Sequence, residues 1–236
     1  IDAANRAAFE ECFAIIKRAW TEDLIDVDGR YWKVPVAGTP WDLDATARYG
    51  AGVEDGLVRQ VAVVPKPLQQ PHPPLFQPFA SSERSIRWCA QEGVTAILPP
   101  LHPLLESRLM DVSASQSGLP RGEGMGVLRD LVIADTDEEA WTLWAEGPRF
   151  CGEQWFAPFG FDRGLAHPET GEPPDYAEGS LMLVGTVDTV TRQLERLLER
   201  LPVTWLFAWQ YNGLTPHAAI MRTIEDFATK VLPRVS

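Results

Sequence analysis

The sequence predicts an α/β fold of the (β/α)₈ barrel type in which only part of the barrel is present. From residue 58 onward, short apolar strand-like segments alternate with longer helical patterns, which is typical of a parallel sheet covered by helices. Right-handed crossovers allow either an open doubly wound sheet or a closed barrel. About four strand–helix units fit into the 236 residues, whereas a complete barrel needs eight in roughly 250 residues. We therefore favour part of a barrel.

The N-terminal part is predicted to contain one helix, one hairpin and one long loop. The first helix has a single apolar face, formed by Phe9, Phe13, Ile16 and Trp20. Asp28 and Gly29 give a turn signal between two strand-like segments, residues 24–27 and 30–34. Residues 37–55 are rich in Gly, Pro and Asp and predict an irregular loop. An α/β domain seldom begins with a helix that lacks an upstream strand, so we expect the sequence to lack the beginning of its domain.

The remaining elements follow from periodicity and from cap residues. Strands are predicted over residues 58–64, 75–79, 94–98, 127–134 and 203–208. Helices are predicted over residues 83–91, 101–117, 136–150, 186–201 and 216–232. Gly93 is placed to end the first of these helices. Thr136 and Glu139 form a capping box, and Thr186 is an N-cap.

Residues 151–180 are too long for a simple connection and are predicted to form an insertion or a lid. They contain four large aromatic residues: Trp155, Phe156, Phe159 and Phe161. One interpretation is an apolar lid that keeps water away from a reactive centre. The alternative is that these rings only hold the loop against the body of the protein.

Composition narrows the class of protein. A net charge of −12 without a basic cluster argues against nucleic acid and against an anionic membrane surface as partners. Three widely spaced cysteines, Cys12, Cys89 and Cys151, do not resemble a disulfide framework. No apolar run reaches the roughly 18 residues of a membrane span, and no signal-peptide pattern opens the chain. The sequence therefore predicts a soluble cytoplasmic protein.

The common catalytic and metal-binding motifs are missing from the sequence. The four histidines do not have the spacings that metal sites use: His72, His102, His167 and His217. There is no nucleophile elbow, no phosphate-binding Walker loop and no Gly-x-Gly-x-x-Gly after a strand. We expect no metal site, and no catalytic residue is assigned.

The most informative segment is residues 65–93, a proline-rich approach followed by a short strand and a helix with a serine-rich start. Ser82 is a good N-cap, and Ser81 and Ser85 flank backbone N–H groups at the positive end of the helix dipole. Such a helix start suits a phosphate, with Arg84 as its countercharge. The alternative is that Ser82 only caps the helix and that Ser85 is solvated.

Trp209 follows the last predicted strand. This position is the carboxyl end of the sheet, where barrel enzymes place their sites. Trp209 is a candidate to pack over a flat aromatic ring system. It is equally compatible with a rim tryptophan that covers the core.

Several stretches form one ordered series along the chain. They are Ala19-Trp20 with residues 28–32, residues 65–74, residues 80–85, residues 133–140, residues 184–190 and residues 227–233. Each stretch alone is weak evidence for a protein family, but the order and spacing of all of them along the chain are specific. In these features the chain resembles the bacterial luciferase-like monooxygenase family, whose members are flavin-using TIM barrels.

The resemblance implies that residues 1–236 form a single (β/α)₈ TIM-barrel domain that lacks the first four strands and carries an inserted hairpin and long loops. In the family, residues that open the helix after the fifth barrel strand bind the flavin phosphate. This role maps onto Ser81, Ser82 and Ser85, and less directly onto Arg84, although some relatives have an acid where Ser81 stands. The absent strands usually supply much of the flavin-ring pocket and a catalytic histidine. A homodimer or a complementing chain is expected to cover the open edge.

The implied function is a monooxygenase that receives reduced FMN from a separate flavin reductase and uses O₂ to oxygenate a small organic substrate. One alternative is an F420-dependent oxidoreductase on the same scaffold, which transfers hydride without oxygen. Another is a truncated, non-catalytic chain that binds flavin or pairs with another subunit.

Overall fold

The computed structural model describes residues 2–176, 181–210 and 213–235. Its backbone divides into two compact units, Ile1–Pro74 and Leu75–Ser236. The interpretation of the whole chain as one barrel domain stays a prediction. Among the helices in the described ranges, none is long and apolar enough to cross a membrane.

The first unit consists of helices and two-stranded hairpins. Its elements are α1 (Asp2–Thr21), β1 (Val27–Asp28), β2 (Lys33–Val34), α2 (Asp44–Tyr49), β3 (Val53–Glu54) and β4 (Leu57–Val58). The hairpin predicted around Asp28 and Gly29 is confirmed, because β1 and β2 pair antiparallel. The Glu11 carboxylate on α1 accepts backbone N–H groups of Tyr31 and Trp32 at 3.0 and 2.9 Å, which fixes this hairpin against the helix.

Two predictions in the first unit need correction. The strand predicted over residues 58–64 is wrong: β4 of the β3–β4 hairpin ends at Val58, and beyond it only Val61 forms an isolated bridge, with Ile25. Asp55 and Gly56 adopt positive φ angles of 50° and 70°, so an Asp-Gly turn closes the hairpin, and the turn signal in the sequence was missed. The loop predicted over residues 37–55 contains the short helix α2, which buries no residue.

The second unit is a mixed α/β structure around a parallel sheet. Its strands are β5 (Phe76–Gln77), β6 (Thr95–Leu98), β7 (Met125–Ile133), β8 (Leu183–Gly185) and β9 (Trp205–Trp209). The strand order is β5-β6-β7, and both β8 and β9 pair with β7. β9 pairs with residues 126–130 of β7, and β8 pairs with residues 131–133. The four strands predicted between residues 75 and 208 are thus present with shifted ends, and β8 is an addition.

Helices follow the strands as the alternating pattern predicted. They are α3 (Glu83–Glu92), α4 (Pro103–Ser117), α5 (Asp137–Trp144), α6 (Val187–Arg200), α7 (His217–Asp226) and α8 (Leu232–Val235). Two π-helical segments, Ala145–Arg149 and Gly152–Phe156, continue the chain beyond α5. The core between helices and sheet is apolar and includes Ile86, Leu98, Leu109, Val127, Ile133, Leu183, Leu194 and Leu197.

The sheet is strongly curled. β5 and β9 are separated by β6 and β7, so on a flat sheet they would lie roughly 14 Å apart at the usual strand spacing. The Phe76 ring on β5 nevertheless contacts the rings of Trp205 and Phe207 on β9, with centroid distances of 5.1 and 5.7 Å. These rings therefore lie on the concave face of a sheet that bends as in part of a barrel.

A buried ionic network joins three elements on the other side of β7. The Glu106 carboxylate on α4 is fully buried and accepts hydrogen bonds from Arg129 of β7 at 2.7 Å and from Arg200 at the end of α6 at 2.8 Å. It also accepts the Leu101 backbone N–H at 3.2 Å. Because Arg129 is itself fully buried, the two side chains neutralise each other inside the core.

Three predicted helix caps are confirmed. The hydroxyl oxygens of Ser82, Thr136 and Thr186 accept the backbone N–H of the residue three positions later, at 3.2, 3.1 and 3.3 Å. Each cap satisfies one of the N–H groups that a helix start leaves without an intrahelical partner. The caps fix where α3, α5 and α6 begin, and all three helices begin just after a strand.

Replacing Thr136 by Ala is expected to lower the free energy of unfolding by about 1 kcal/mol, because the Glu139 N–H loses its acceptor. Chemical denaturation monitored by circular dichroism measures this loss. Thr136→Ser keeps the hydroxyl and should unfold close to the parent midpoint. An alanine variant as stable as the parent would contradict the capping role.

Candidate functional site

A cavity of about 320 Å³ opens at the carboxyl ends of the parallel strands. The sheet side of its wall comes from Phe79 after β5, Pro99 after β6, Asp130 within β7 and Trp209 at the end of β9. This is the edge at which parallel α/β sheets and barrels place ligands. The cavity lies entirely within the second unit.

The opposite wall is formed by the end of α5 and by the insertion that follows. The lining residues from this part are Trp144, Pro148, Arg149, Cys151, Gly152, Glu153, Phe156, Ala157, Phe161, Asp162, Leu165 and Tyr176. Of the four aromatic residues predicted to form a lid, Phe156 and Phe161 line the cavity, although Phe161 is also exposed to solvent. Trp155 and Phe159 are exposed and are not part of the lining. The insertion therefore contributes most of this side of the cavity, and its action as a lid stays a prediction.

Four aromatic rings form a cluster at the mouth of the sheet, and we call Phe79, Phe156, Phe161 and Trp209 the ring cluster. Trp209 lies 6.3 Å from Phe79 and 5.9 Å from Phe156 between ring centroids. Phe161 lies 5.5 Å from Phe79 and 6.0 Å from Phe156. Because the rings meet at steep angles, the cluster presents both edges and faces to the cavity. The cluster gives the cavity a hydrophobic wall.

Phe79 has an unusual backbone. Its φ angle is +53°, a left-handed conformation that bulky residues rarely adopt. The next residue, Ala80, is buried and donates its N–H to the Ile97 carbonyl of β6 at 3.0 Å. The strained residue therefore sits between the end of β5 and the serine-rich start of α3. Strain of this kind clusters at ligand-binding sites.

Asp130 places a half-buried carboxyl group in the lining of the cavity. Its Oδ2 accepts the indole N–H of Trp144 at 2.8 Å, and the side chain is partly accessible. Burial raises the pKa of Asp130 to about 6, although the hydrogen bond from Trp144 and the positive charge of Arg129 act to lower it. Near neutral pH the group is thus close to its titration point, which is unusual for an aspartate.

Two further cavity groups are held in their neutral forms. Burial raises the pKa of the Cys151 thiol, and the negative charge of Asp130 adds to this effect. Burial also raises the pKa of the Tyr176 hydroxyl. Arg149 and Glu153 form an ion pair at 2.7 Å in the cavity wall. The lining therefore combines two neutral donors and one ion pair with the carboxyl groups of Asp130 and Asp162.

The predicted phosphate-binding residues stand at the start of α3. Ser81, Ser82 and Arg84 are exposed, and Ser85 is half-buried. The Ser82 hydroxyl accepts the Ser85 N–H and donates to the Ser85 Oγ at 3.1 Å, so the cap that the alternative interpretation requires is present. The Ser85 hydroxyl hydrogen stays available to a ligand. The assignment of an anion to this helix start stays a prediction.

The acid in the first turn of α3 is balanced by arginines. Glu83 pairs with Arg108 of α4 at 2.6 Å and with Arg87 at 3.5 Å. Its carboxylate would otherwise repel an anion bound at the same helix start. The two arginines therefore offset the negative charge of Glu83 at the helix start.

Asp130, Trp144, Cys151 and Tyr176 were not identified from the sequence. The available signal was the pair Arg129-Asp130 in the middle of an apolar strand, because charged residues seldom lie in a buried strand without a partner. Successive side chains of a strand point to opposite faces. Arg129 accordingly meets Glu106, and Asp130 meets the cavity.

No protein-family model and no curated protein matches the sequence. Solved structures do share the fold. The monooxygenase RslO1 from Streptomyces bottropensis matches with a TM-score of 0.70 at 17% identity, covering 98% of this chain and 62% of that chain. The FMN complex of the oxygenating constituent of 3,6-diketocamphane monooxygenase, a type II Baeyer-Villiger enzyme from Pseudomonas putida, matches with a TM-score of 0.67 at 22% identity. It covers 96% of this chain and 63% of that chain.

A third neighbour is the coenzyme F420-dependent tetrahydromethanopterin reductase from Methanopyrus kandleri. Its TM-score is 0.53 at 14% identity, over 97% of this chain and 63% of that chain. These neighbours confirm, at the level of the fold, the resemblance to the luciferase-like monooxygenases. The chain spans less than two thirds of the length of each of the three structures.

Proposed function

We propose that this chain is the cofactor-binding part of a flavin-dependent monooxygenase that uses reduced FMN and O₂ to oxygenate a small organic substrate. The observation that carries the proposal is the cavity at the carboxyl ends of the strands, which is walled by the ring cluster. None of Ser81, Ser82 and Ser85 lines it, but Phe79 of the ring cluster precedes Ser81 by two residues. The neighbours named monooxygenases, one of them in complex with FMN, support it.

The residues present fit the two ends of an FMN molecule. Helix geometry leaves the first N–H groups of α3 without intrahelical acceptors, and the Ser85 hydroxyl adds a donor beside them. In this proposal Ser81, Ser82 and Ser85 hold the phosphate, and Arg84 supplies countercharge from the exposed side. Trp209, as part of the ring cluster, packs against the flat ring system.

When bound, the reduced flavin supplies the electrons that activate O₂. The residues of this chain orient the ring, anchor the phosphate and keep water out through the apolar walls of the cavity. Asp130 holds a proton within the cavity at and below about pH 6. A separate flavin reductase is the proposed source of reduced FMN.

The fold proposed for the complete site is a (β/α)₈ barrel in which four further strands close the curled sheet. Phe76 and Trp205 on the concave face are 38% and 44% exposed, although aromatic side chains of this size are normally buried inside a barrel. Four additional strands would cover both rings. We propose that another segment, a complementing chain or a second copy provides this cover.

A second candidate function is F420-dependent hydride transfer on the same scaffold. The reductase from Methanopyrus kandleri, with its TM-score of 0.53, supports keeping it. It differs in its electron path, because hydride passes to the substrate and no oxygen atom is incorporated. A non-catalytic flavin-binding chain is the third alternative.

Titration of FMN against the chain tests the proposal. We expect saturable quenching of tryptophan fluorescence, since Trp209 lies in the cavity wall. With photochemically reduced FMN, ¹⁸O₂ and a substrate panel, one labelled oxygen atom should enter the product. Hydride transfer from reduced F420 without label would favour the second candidate. Absence of saturable FMN binding would overturn the main proposal.

A further inference from the structure

We infer that His102 and His167 form a pH-sensitive latch that holds the insertion against the start of α4 and so keeps two walls of the cavity together. We call these two residues the histidine pair. Their imidazole rings pack edge to face, with centroids 4.6 Å apart and an angle of 64° between the ring planes. The inference concerns the opening of the cavity and does not depend on which ligand the cavity binds.

The histidine pair joins two segments that both reach the cavity. His102 lies two residues after Pro100, which lines the cavity on the sheet side. His167 lies two residues after Leu165, which lines it on the insertion side. Contact between the two rings therefore ties one wall of the cavity to the other.

The backbone of the insertion meets the start of α4 at the same place. The His102 N–H donates to the Gly164 carbonyl at 2.7 Å. A Cβ atom at Gly164 would lie 2.4 Å from the Cδ2 atom of Leu101, so the two segments approach each other closely here. The histidine pair thus lies beside a tight backbone contact rather than at a loose loop tip.

The hydrogen bonds of both rings require neutral imidazoles. The Nδ1 atom of His102 accepts the Leu104 N–H at 3.3 Å, in the first turn of α4. The Nδ1 atom of His167 accepts the N–H groups of Glu169 and Thr170 at 3.2 and 3.3 Å. A charged imidazole carries a proton on each nitrogen and cannot accept a hydrogen bond. Charging both rings therefore removes the acceptor from three backbone N–H groups.

The distance between the rings adds a second cost to charging. Two imidazolium ions 4.6 Å apart repel each other, and a like charge in contact disfavours the charged form of its neighbour. The histidine pair is therefore compatible with two neutral rings but not with two charged ones.

The other charged groups around the histidine pair leave this balance in place. Glu106 on α4 already pairs with Arg129 of β7 and Arg200 of α6. The charged residues of the insertion near His167 are exposed, so solvent screens their effect on the rings. They are Asp162, Arg163, Glu169, Glu172 and Asp175.

The sign of the pH dependence follows from the neutral rings. The latch is closed while both imidazoles are uncharged, and it opens as pH falls through the range in which histidine gains its second ring proton. Its contribution to holding the insertion is present at pH 7.5 and lost towards pH 5. In the open state the insertion can move away from the sheet-side wall and admit water to the cavity.

Hydrogen exchange measured by mass spectrometry on the 236-residue chain tests the latch. Protection factors, corrected for the intrinsic effect of pH on exchange, are compared at pH 7.5 and pH 5. We expect protection of residues 160–175 to fall about tenfold at pH 5, because hydrogen-bond acceptors are lost. Protection of α6 is the internal reference for global stability and should change much less.

The double variant His102→Asn, His167→Asn separates charge from hydrogen bonding. The asparagine side-chain oxygen can accept the same backbone N–H groups and does not titrate, so protection of the insertion should be equal at both pH values. His217→Asn is the matched control at the start of α7 and should keep the pH dependence of the parent. His167→Lys carries a charge at both pH values and should show low protection at both.

Equal protection of the parent insertion at pH 7.5 and pH 5 would overturn the inference, as would a tenfold loss that persists in the double asparagine variant. The parent chain also gives a test that needs no variant to fold. Correlation spectra of ¹⁵N and ¹H in the histidine rings at pH 7.5 should show the ring proton of His102 and of His167 on Nε2. A proton on Nδ1 of either ring at that pH would contradict the latch.

Discussion

Replacing Glu106 by Gln is expected to lower the free energy of unfolding by about 3–5 kcal/mol. The carboxylate is fully buried and balances the fully buried Arg129, so the neutral amide leaves the guanidinium without its opposite charge. The amide also offers a donor where Arg200 donates to Oε2. The loss is large because a buried charge is costly once the partner that balances it is gone.

Urea denaturation followed by circular dichroism measures this effect, with an unchanged m-value as the sign that the native state is otherwise intact. Asp111→Asn is the matched control, because Asp111 lies on the same helix but pairs with Arg121 at the surface, where its side chain is 66% exposed. That variant should unfold within about 0.5 kcal/mol of the parent.

The double variant Glu106→Leu, Arg129→Met separates the cost of an unbalanced charge from the value of the network. With both charges removed, we expect more than half of the lost stability to return, because a hydrophobic pair of similar size often replaces a buried ion pair. If Glu106→Gln were as stable as Asp111→Asn, the network would have no part in holding α4 against β7.

The sequence predicted the parts of the fold that depend on local chemistry. Ser82, Thr136 and Thr186 were identifiable as caps because a cap needs only a hydroxyl oxygen and a backbone N–H three residues later. The alternation of strands and helices was identifiable because apolar residues on a buried face recur with the period of the strand or of the helix. Each of these signals can be recognised from a few neighbouring residues.

The parts that were missed depend on residues far apart in the chain. Strand β8 has three residues, too few for a periodic signal, and it forms by pairing with residues 131–133 of β7, which lie far upstream in the chain. The pKa of Asp130 arises from burial in a cavity whose far wall comes from the insertion. No window around either segment contains the partners that determine its structure or chemistry.

The sequence predicted the structure of the start of α3, but it left open whether the start only caps the helix or also binds an anion. Ser82 caps the helix, as the simpler interpretation required, and the same hydroxyl reaches Ser85. Capping and anion binding use different atoms of the same turn. Capping occupies the Ser82 lone pair and the Ser85 N–H, whereas an anion would use the Ser85 hydroxyl hydrogen and the first N–H groups of the helix.

Replacing Ser82 and Ser85 together by Ala is expected to weaken FMN binding by about 1–3 kcal/mol, or roughly 5- to 150-fold. Riboflavin, which has no phosphate, should lose much less. Fluorescence titration of both ligands against parent and variant measures the difference. Equal loss for FMN and riboflavin would contradict the assignment of the phosphate to this turn.

Loss of the cap is the main confounding effect, and two variants control for it. Thr136→Ala removes an equivalent cap from α5, away from the proposed phosphate, and should leave FMN affinity unchanged at a similar cost in stability. Ser82→Asp keeps a capping oxygen but adds a negative charge, so it should remain folded and repel the phosphate. FMN affinity that followed stability across all three variants would mean that the turn serves only to begin the helix. Affinity that fell with added charge while stability held would place an anion there.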